Sequence, residues 1–456
     1  MAAHLSKACS ACLHTRQLSP ASTPRPLGGL RSIPAGRALR VSLAGSDTAM
    51  TLPTTAPARR TFLRSLALAA ATPVLTEASL AHAAQAPPSG MALHGQTPDI
   101  PPPDAVLINA NENPLGPCKA AIDAIGKIAP QGGRYDRLGE VEMLAMTFAR
   151  QSGLKVDHVE VYAGSGEPLT HTVLAFTGPG RSLVIADPSY EAAMRAAMTS
   201  GGQIHKVPLT ADFQHDVKAM AAADPKAGLI YVCNPNNPTG TMTDRASIVW
   251  LLENKPKDSI LLVDEAYIHL SDAKDTLDLV AAGKDLIVLR TFSKVYGMAG
   301  LRCGLALGRP DLLAKLKAFG QNAMPITGAA AARASLLDAA LVPERKKIIG
   351  DVRSETISWL RAKGFKVIGE SESNCFMIDT GRNGRAIMAA MKARKVYIGR
   401  TWPIWPNAVR ISVGTAEEMA AFKTAFAAVM AMPTAELMAI YGKQAQVEFD
   451  VLKHFA

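Results

Sequence analysis

Five short apolar runs, each ending in a cluster of polar residues, constrain this chain more than any other feature. Residues 158–164 (HVEVYAG), 182–190 (SLVIADPSY), 228–240 (GLIYVCNPNNPTG), 259–267 (SILLVDEAY) and 285–294 (DLIVLRTFSK) each hold one short buried strand, and helix-like stretches lie between them. That alternation predicts an α/β body built on a mostly parallel sheet covered on both faces. In such sheets ligands bind beyond the carboxyl ends of the strands. The polar clusters fall there.

The C-terminal third has a different pattern. Residues 407–415 (NAVRISVGT) alternate, with Val409, Ile411 and Val413 on one face and Arg410 and Ser412 on the other, as in a half-buried strand. Thr415 and Glu418 then have capping-box spacing ahead of an amphipathic helix carrying Met419, Phe422, Phe426 and Val429. A second, smaller α/β domain is expected here. The resulting division is an N-terminal arm with part of the small domain at 85–154, a large domain at 155–340 and the rest of the small domain at 341–456.

At 456 residues, 48% hydrophobic and 19% charged, the chain has the composition of a folded protein with a sizeable core. Its net charge of +10 is unevenly placed. Residues 1–84 hold nine basic and two acidic side chains, leaving 40 basic and 37 acidic over the remainder. The body is therefore close to neutral, which argues against nucleic acid as a partner.

Arg59 and Arg60, the apolar run Leu66–Leu75 and the small-residue site Ala81-His82-Ala83 have the order of an export signal. The paired arginines resemble the twin-arginine type, so residues 50–84 are expected to direct the chain to the twin-arginine machinery and the periplasm; without a working signal it would stay in the cytoplasm. The apolar run is too short to span a bilayer. Residues 1–49 are expected to be a wrongly assigned start or an extension. They contain Cys9 and Cys12; the other cysteines, Cys118, Cys233, Cys303 and Cys375, are dispersed and are expected as single buried thiols.

Each polar cluster has a plain explanation as a turn or helix cap, and together they suit one kind of ligand. Gly164, Ser165 and Gly166 form a small-residue turn before a helix, where free amides favour a phosphate. Asn237 lies in a turn between two prolines, Pro235 and Pro238, Asp264 and Tyr267 lie at a strand end, and Thr291, Ser293, Lys294 and Arg302 close the series. A phosphorylated aromatic aldehyde held by a lysine as an imine needs a carboxylate at its ring nitrogen. It also needs donors at its ring hydroxyl, and amides with an arginine at its phosphate. Pyridoxal 5′-phosphate is that ligand. No metal is required.

The motifs NENPLGP (111–117), GSGE (164–167), NPNNPTG (234–240), DEAY (264–267), TFSKVYGMAGLRCG (291–304) and VRISVGT (409–415) occur in an order that resembles the fold-type I, class I/II aminotransferases. Within that group the chain is most similar to histidinol-phosphate aminotransferases. The resemblance implies a pyridoxal-phosphate transferase fold, with a large mixed-sheet domain and a smaller α/β domain built from both chain ends. It implies ping-pong transfer of an amino group between amino and 2-oxo acids, by a homodimer with shared sites. By matched position, Lys294 binds the cofactor and moves the substrate proton, and Asp264 faces the ring nitrogen. Asn237 and Tyr267 bond the ring oxygen, and Tyr190 stacks on the ring. Ser165, Gly166, Thr291, Ser293 and Arg302 hold the phosphate, joined by Tyr135 of a second copy. Arg410 grips the substrate carboxylate, with Asn374 nearby and Arg400 matching an arginine for the substrate's own phosphate.

Two departures stand out. Gly166 replaces the aspartate usual in the phosphate motif, and TWPIWP (401–406) follows Arg400 with a shortened gap to Arg410. Trp402 and Trp405 either line a different side-chain pocket or pack at the domain junction. Decarboxylation, elimination or racemisation on the same scaffold, and a non-catalytic cofactor-binding protein, are the alternatives to amino transfer. A nicotinamide dehydrogenase is disfavoured by the missing glycine fingerprint.

Overall fold

The computed structural model describes residues 100–454, which belong to one compact unit. The export signal expected at 50–84, the extension at 1–49, and Cys9 and Cys12 lie outside the described residues. The first strand, β1 (Val106–Ile108), stands apart from the main sheet. That sheet contains β2 (Val159–Tyr162), β3 (Ser182–Asp187), β4 (Ile204–Pro208), β5 (Ala227–Cys233), β6 (Ile260–Asp264), β7 (Leu286–Thr291) and β8 (Gly304–Gly308). Their spatial order is β2-β8-β7-β6-β5-β3-β4. Only β8 is reversed, antiparallel to both β2 and β7. Because it is reversed, its start lies at the same edge as the carboxyl ends of the others. Arg302, two residues before β8, is thereby delivered to the edge where Asp264 ends β6 and Thr291 ends β7.

The five apolar runs thus form β2, β3, β5, β6 and β7. Every residue of β5, β6, β7 and β8 is buried, as a sheet covered on both faces requires. Side chains alternate between two cores. Ile230, Val232, Leu261, Val263 and Val288 pack on one face, and Leu229, Tyr231, Cys233, Leu262 and Leu289 on the other. Asp264 shares the second face with Tyr231, and Arg290 shares the first with Val288.

A three-stranded antiparallel sheet, with β10 (Cys375–Asp379) between β9 (Lys366–Ile368) and β12 (Ala408–Ser412), lies in the C-terminal third. A parallel pair joins β1 to β11 (Val396–Ile398), bringing the two ends of the folded region together. The capping box forms as its spacing predicts: Thr415 Oγ1 accepts from the Glu418 N–H at 3.1 Å, and Glu418 Oε2 accepts from the Thr415 N–H at 2.8 Å. The half-buried reading of 407–415 is corrected, since all five residues of β12 are buried. Its polar face, with Arg410 and Ser412, turns into the protein toward Asn109 and Asn111. Alternation marks two environments, and the polar one here is an internal site.

On the face of the main sheet opposite Asp264, a buried guanidinium joins three elements. Arg290 donates from Nε to Glu265 at 2.8 Å, from Nη2 to Asp275 at 2.7 Å, and meets His269 Nε2 through Nη1 at 2.9 Å. Glu265 Oε1 accepts from both the N–H and the hydroxyl of Thr276 at 2.8 Å. The Arg290 and Glu265 side chains are 4% and 2% exposed, so loss of one partner strands a charge away from water. Arg290→Met is expected to lower unfolding free energy by about 3–5 kcal/mol, read from urea denaturation. Glu265→Gln/Arg290→Met is expected to lose less than that single variant.

Candidate active site

Lys294 follows β7 after the turn Phe292–Ser293. Its Nζ donates to the backbone carbonyl of Asn111 at 2.9 Å and lies 5.4 Å from the centre of the Tyr267 ring. Burial, then the charge of Arg410, lower its pKa from 10.5 to about 8. The amine is therefore neutral, and nucleophilic, at a pH where an ordinary lysine is charged.

Asp264 ends β6 with 4% of its surface exposed. One carboxylate oxygen accepts from the Tyr231 hydroxyl at 3.0 Å and the other from the Ala266 N–H at 3.2 Å. Burial raises its pKa to about 6 despite the Tyr231 hydrogen bond. A cation beside this carboxyl would restore its ionised form, so the position suits a protonated ring nitrogen.

A second pair of residues lies across the site. Arg410, on β12, donates from Nη1 to Asn237 Oδ1 at 2.8 Å and from Nη2 to the Asn109 carbonyl at 2.7 Å. Its Nε is buried without a partner among the described residues, as is Asn374 Oδ1. Because Arg410 occupies Asn237 Oδ1, the Asn237 amide N–H groups face outward from that bond. Asn374 Nδ2 donates to the Asn111 carbonyl at 3.0 Å.

The turn at 164–166 and Arg302 form one unit. Gly164 has φ +94°, a conformation that favours glycine, and a Cβ there would collide with the Arg302 guanidinium. A Cβ at Gly304 would likewise meet the backbone of Ser165. Arg302 donates to the carbonyls of Ala299 at 2.8 Å and Ala163 at 3.4 Å, and remains exposed. Ser165 precedes the helix Gly166–Phe176, whose first amides are free. Thr291 and Ser293 hydroxyls bond each other at 3.0 Å beside them. Amides, hydroxyls and a guanidinium thus converge as a phosphate requires.

The remaining candidates are placed differently. Tyr190 is half-buried, with burial and then Asp264 raising its pKa. Arg400 forms an ion pair with Glu191 at 2.9 Å and lies 4.7 Å from the Trp402 ring. Tyr135 is 88% exposed and joins none of these contacts. Trp402 is buried and packs against Arg400 and Arg410. Among the described residues no three metal-ligating side chains gather, and no single helix is long and apolar enough to cross a membrane. Cys233, Cys303 and Cys375 are buried free thiols and Cys118 is partly buried. Cys375 is not in wholly apolar surroundings, because Asn111 Nδ2 donates to its sulfur at 3.1 Å.

Three contributors carried no assigned role in the sequence reading. Tyr231 was visible as a tyrosine inside an apolar strand, whose hydroxyl must find a partner when buried. Asn111 belongs to the NENPLGP motif, and its φ of 53° falls where asparagine is tolerated. The Asn109 carbonyl had no side-chain signal.

Residues 103–426 match the aminotransferase class I and II family. The chain belongs to the class I and II aminotransferases. It is 32% identical to a histidinol-phosphate aminotransferase of Moorella thermoacetica over 72% of this chain and 86% of that one. An aromatic amino acid aminotransferase of Cutibacterium acnes is 33% identical, over 68% and 88% of the two chains. The structure of a Sinorhizobium meliloti histidinol-phosphate aminotransferase in complex with pyridoxal 5′-phosphate superposes with a TM-score of 0.65 at 27% identity, covering 72% of this chain and 91% of that one. This aminotransferase is a pyridoxal-phosphate enzyme of the histidinol-phosphate-like type, with the α/β fold of that family.

The residues present fit the cofactor. Arg410 Nε and Asn374 Oδ1 are buried without partners among the described residues, the glycine turn leaves room at Arg302, and no described cation bonds the buried Asp264 directly. Uptake of pyridoxal 5′-phosphate by the cofactor-free aminotransferase is expected to accelerate with rising pH, with a midpoint near the Lys294 value of about 8. The sign follows because only the neutral amine attacks an aldehyde. Stopped-flow absorbance across pH 6–10 measures it, and a midpoint near that of free lysine, about 10.4, counts against the assignment.

Proposed function

We propose that this aminotransferase moves the amino group of an L-amino acid with a bulky, non-phosphorylated side chain to a 2-oxo acid. The observation that carries the reading is the Arg400–Glu191 pair. An arginine whose charge is already met by a carboxylate, and whose face lies on Trp402, is a poor receptor for a phosphate dianion. The half-buried ring of Tyr190 suits a flat or apolar side chain instead, while Trp402 is buried behind the two arginines.

In this reading the bound cofactor acts as an electron sink for the substrate's α-carbon bond. Lys294 holds the cofactor and, when freed, carries the proton from the α-carbon. Asp264 keeps the ring nitrogen protonated, aided by the Tyr231 hydrogen bond. Tyr190 covers the ring. Asn237 and Tyr267 donate to the ring oxygen. Ser165, Gly166, Thr291, Ser293 and Arg302 receive the phosphate. Arg410 presents its guanidinium to the substrate carboxylate, held in line by Asn237 and the Asn109 carbonyl, with Asn374 beside it. Tyr135, exposed in the single chain, reaches the phosphate of a second copy in a homodimer.

A panel of amino donors against the holoenzyme tests this reading. Aromatic amino acids are expected to convert the bound cofactor to its amine form at least 10-fold more efficiently in kcat/KM than histidinol phosphate, a margin of about 1.4 kcal/mol. Arg400→Ala is expected to keep activity toward non-phosphorylated donors within about threefold, whereas Arg410→Lys raises KM for every carboxylate substrate roughly 10-fold or more. A preference for the phosphorylated donor that disappears in Arg400→Ala would overturn the substrate reading.

The export proposal rests on sequence alone: paired arginines, a modest apolar run and a small-residue cleavage site. It places the enzyme in the periplasm after folding and cofactor loading in the cytosol. Residues 50–90 fused to a reporter that functions only after folded export are expected to deliver it, and Arg59→Lys/Arg60→Lys to retain it inside. Delivery by the double variant at the same level refutes the twin-arginine route.

A further inference from the structure

The segment before the large sheet contributes one asparagine whose hydrogen bonds can be assigned in direction from end to end. The Asn111 backbone N–H donates to Ser412 Oγ at 2.8 Å. That leaves the Ser412 proton to be donated to Asn111 Oδ1, 3.0 Å away. With Oδ1 facing Ser412, the amide must present Nδ2 on its other side, where it donates to Tyr267 Oη at 3.1 Å and Cys375 Sγ at 3.1 Å. Each step fixes the next, because a hydroxyl has one proton and an amide has distinct donor and acceptor ends.

We infer that Asn111 is a positioning residue that turns the Tyr267 hydroxyl proton toward the cofactor's ring oxygen. Because Asn111 donates to Oη, the Tyr267 proton points away from Asn111, and among the described residues it is donated to no other group. Ser412 supplies the direction and lies on β12 two residues from Arg410. The chain Ser412–Asn111–Tyr267 thus runs from the strand that receives the substrate carboxylate to the group that polarises the ring. Asn111 is 1% exposed, so water does not compete for these bonds. The inference rests on the reading of Tyr267 given above.

A donor on the ring oxygen stabilises its negative charge and lowers the pH at which the bound cofactor's absorption band titrates. Asn111→Gly removes the carboxamide, keeps the backbone groups that meet Ser412 and Lys294, and suits the φ of 53°. The charged and titratable groups facing Tyr267 are Cys233 on β5, Cys375 on β10, Arg410 on β12, and Lys294. All remain in this variant.

The holoenzyme's absorption is to be titrated from pH 5 to 10 in wild type, Asn111→Gly, Tyr267→Phe and the double variant. Asn111→Gly is expected to raise the midpoint by roughly half to one pH unit, the equivalent of one neutral hydrogen bond, and to add nothing in the Tyr267→Phe background. Ser412→Ala should move it the same way by less, which covers the case in which Asn111→Gly does not fold. A wild-type midpoint in both Asn111→Gly and Ser412→Ala, or an equal shift with and without Tyr267, overturns the role of Asn111. A Tyr267→Phe midpoint unchanged from wild type overturns instead the placement of Tyr267 on the ring oxygen.

Discussion

A carboxylate buried at the end of a central strand needs a cation, and among the described residues none is in direct contact with Asp264. Its neighbours on that face are Tyr231, Cys233, Leu262 and Leu289, and burial raises its pKa to about 6 against the Tyr231 and Ala266 hydrogen bonds. The same low-dielectric pocket lowers Lys294 to about 8. Burial therefore weakens the charged form of both groups in opposite senses. A ligand with an aldehyde at one end and a basic ring nitrogen at the other relieves both. The geometry of the rest of the site follows from keeping these two groups at the ends of adjacent parallel strands.

That spacing is held from the opposite face. The β6–β7 ladder pairs Asp264 with Leu289, and the residues immediately following, Glu265 and Arg290, form the buried ion pair behind it. Arg290 also binds the segment leading into the helix Leu277–Ala281 through Asp275. Side chains alternate across a strand, so a residue aimed at the cofactor has a neighbour aimed away from it. Here that neighbour serves as an anchor. The costly burial of a guanidinium is offset by three directed bonds, and it fixes where the two reactive side chains emerge.

Much of this is legible in the sequence. Apolar runs ending in NPNNPTG, DEAY and TFSK gave β5, β6 and β7 with their polar ends at one edge, because strand period and turn chemistry are local properties of sequence. The short strands β9 and β11 and the reversed β8 had weaker signals; GLALG is as compatible with a helix segment as with a strand. The polar face of β12 has the sequence pattern of a solvent-facing one for a definite reason. Alternation cannot distinguish a face wet by solvent from one wet by a site, and Arg410 sits in the second. Asn111 belongs to a recognisable motif, yet its partner Ser412 lies 301 positions further along the chain, a pairing that no local pattern shows.

The pair Glu191–Arg400 illustrates how a shared scaffold diverges. Both lie outside the group that the cofactor demands, and both are near Tyr190 and Trp402, where a substrate side chain would enter. A buried arginine keeps its charge, so its availability to a ligand depends on what already faces it. Glu191 supplies that partner within the chain, and Trp402 covers the guanidinium face shared with Arg410. Arg410 differs: its Nε is unpartnered and its two Nη groups are held by a neutral amide and a carbonyl, which orient it without cancelling its charge. Two arginines on neighbouring segments thus differ in their partners, a carboxylate for Arg400 and neutral groups for Arg410. In the proposed reading, that contrast in their partners, more than the presence of either residue, would separate recognition of a substrate carboxylate from recognition of a second anionic group.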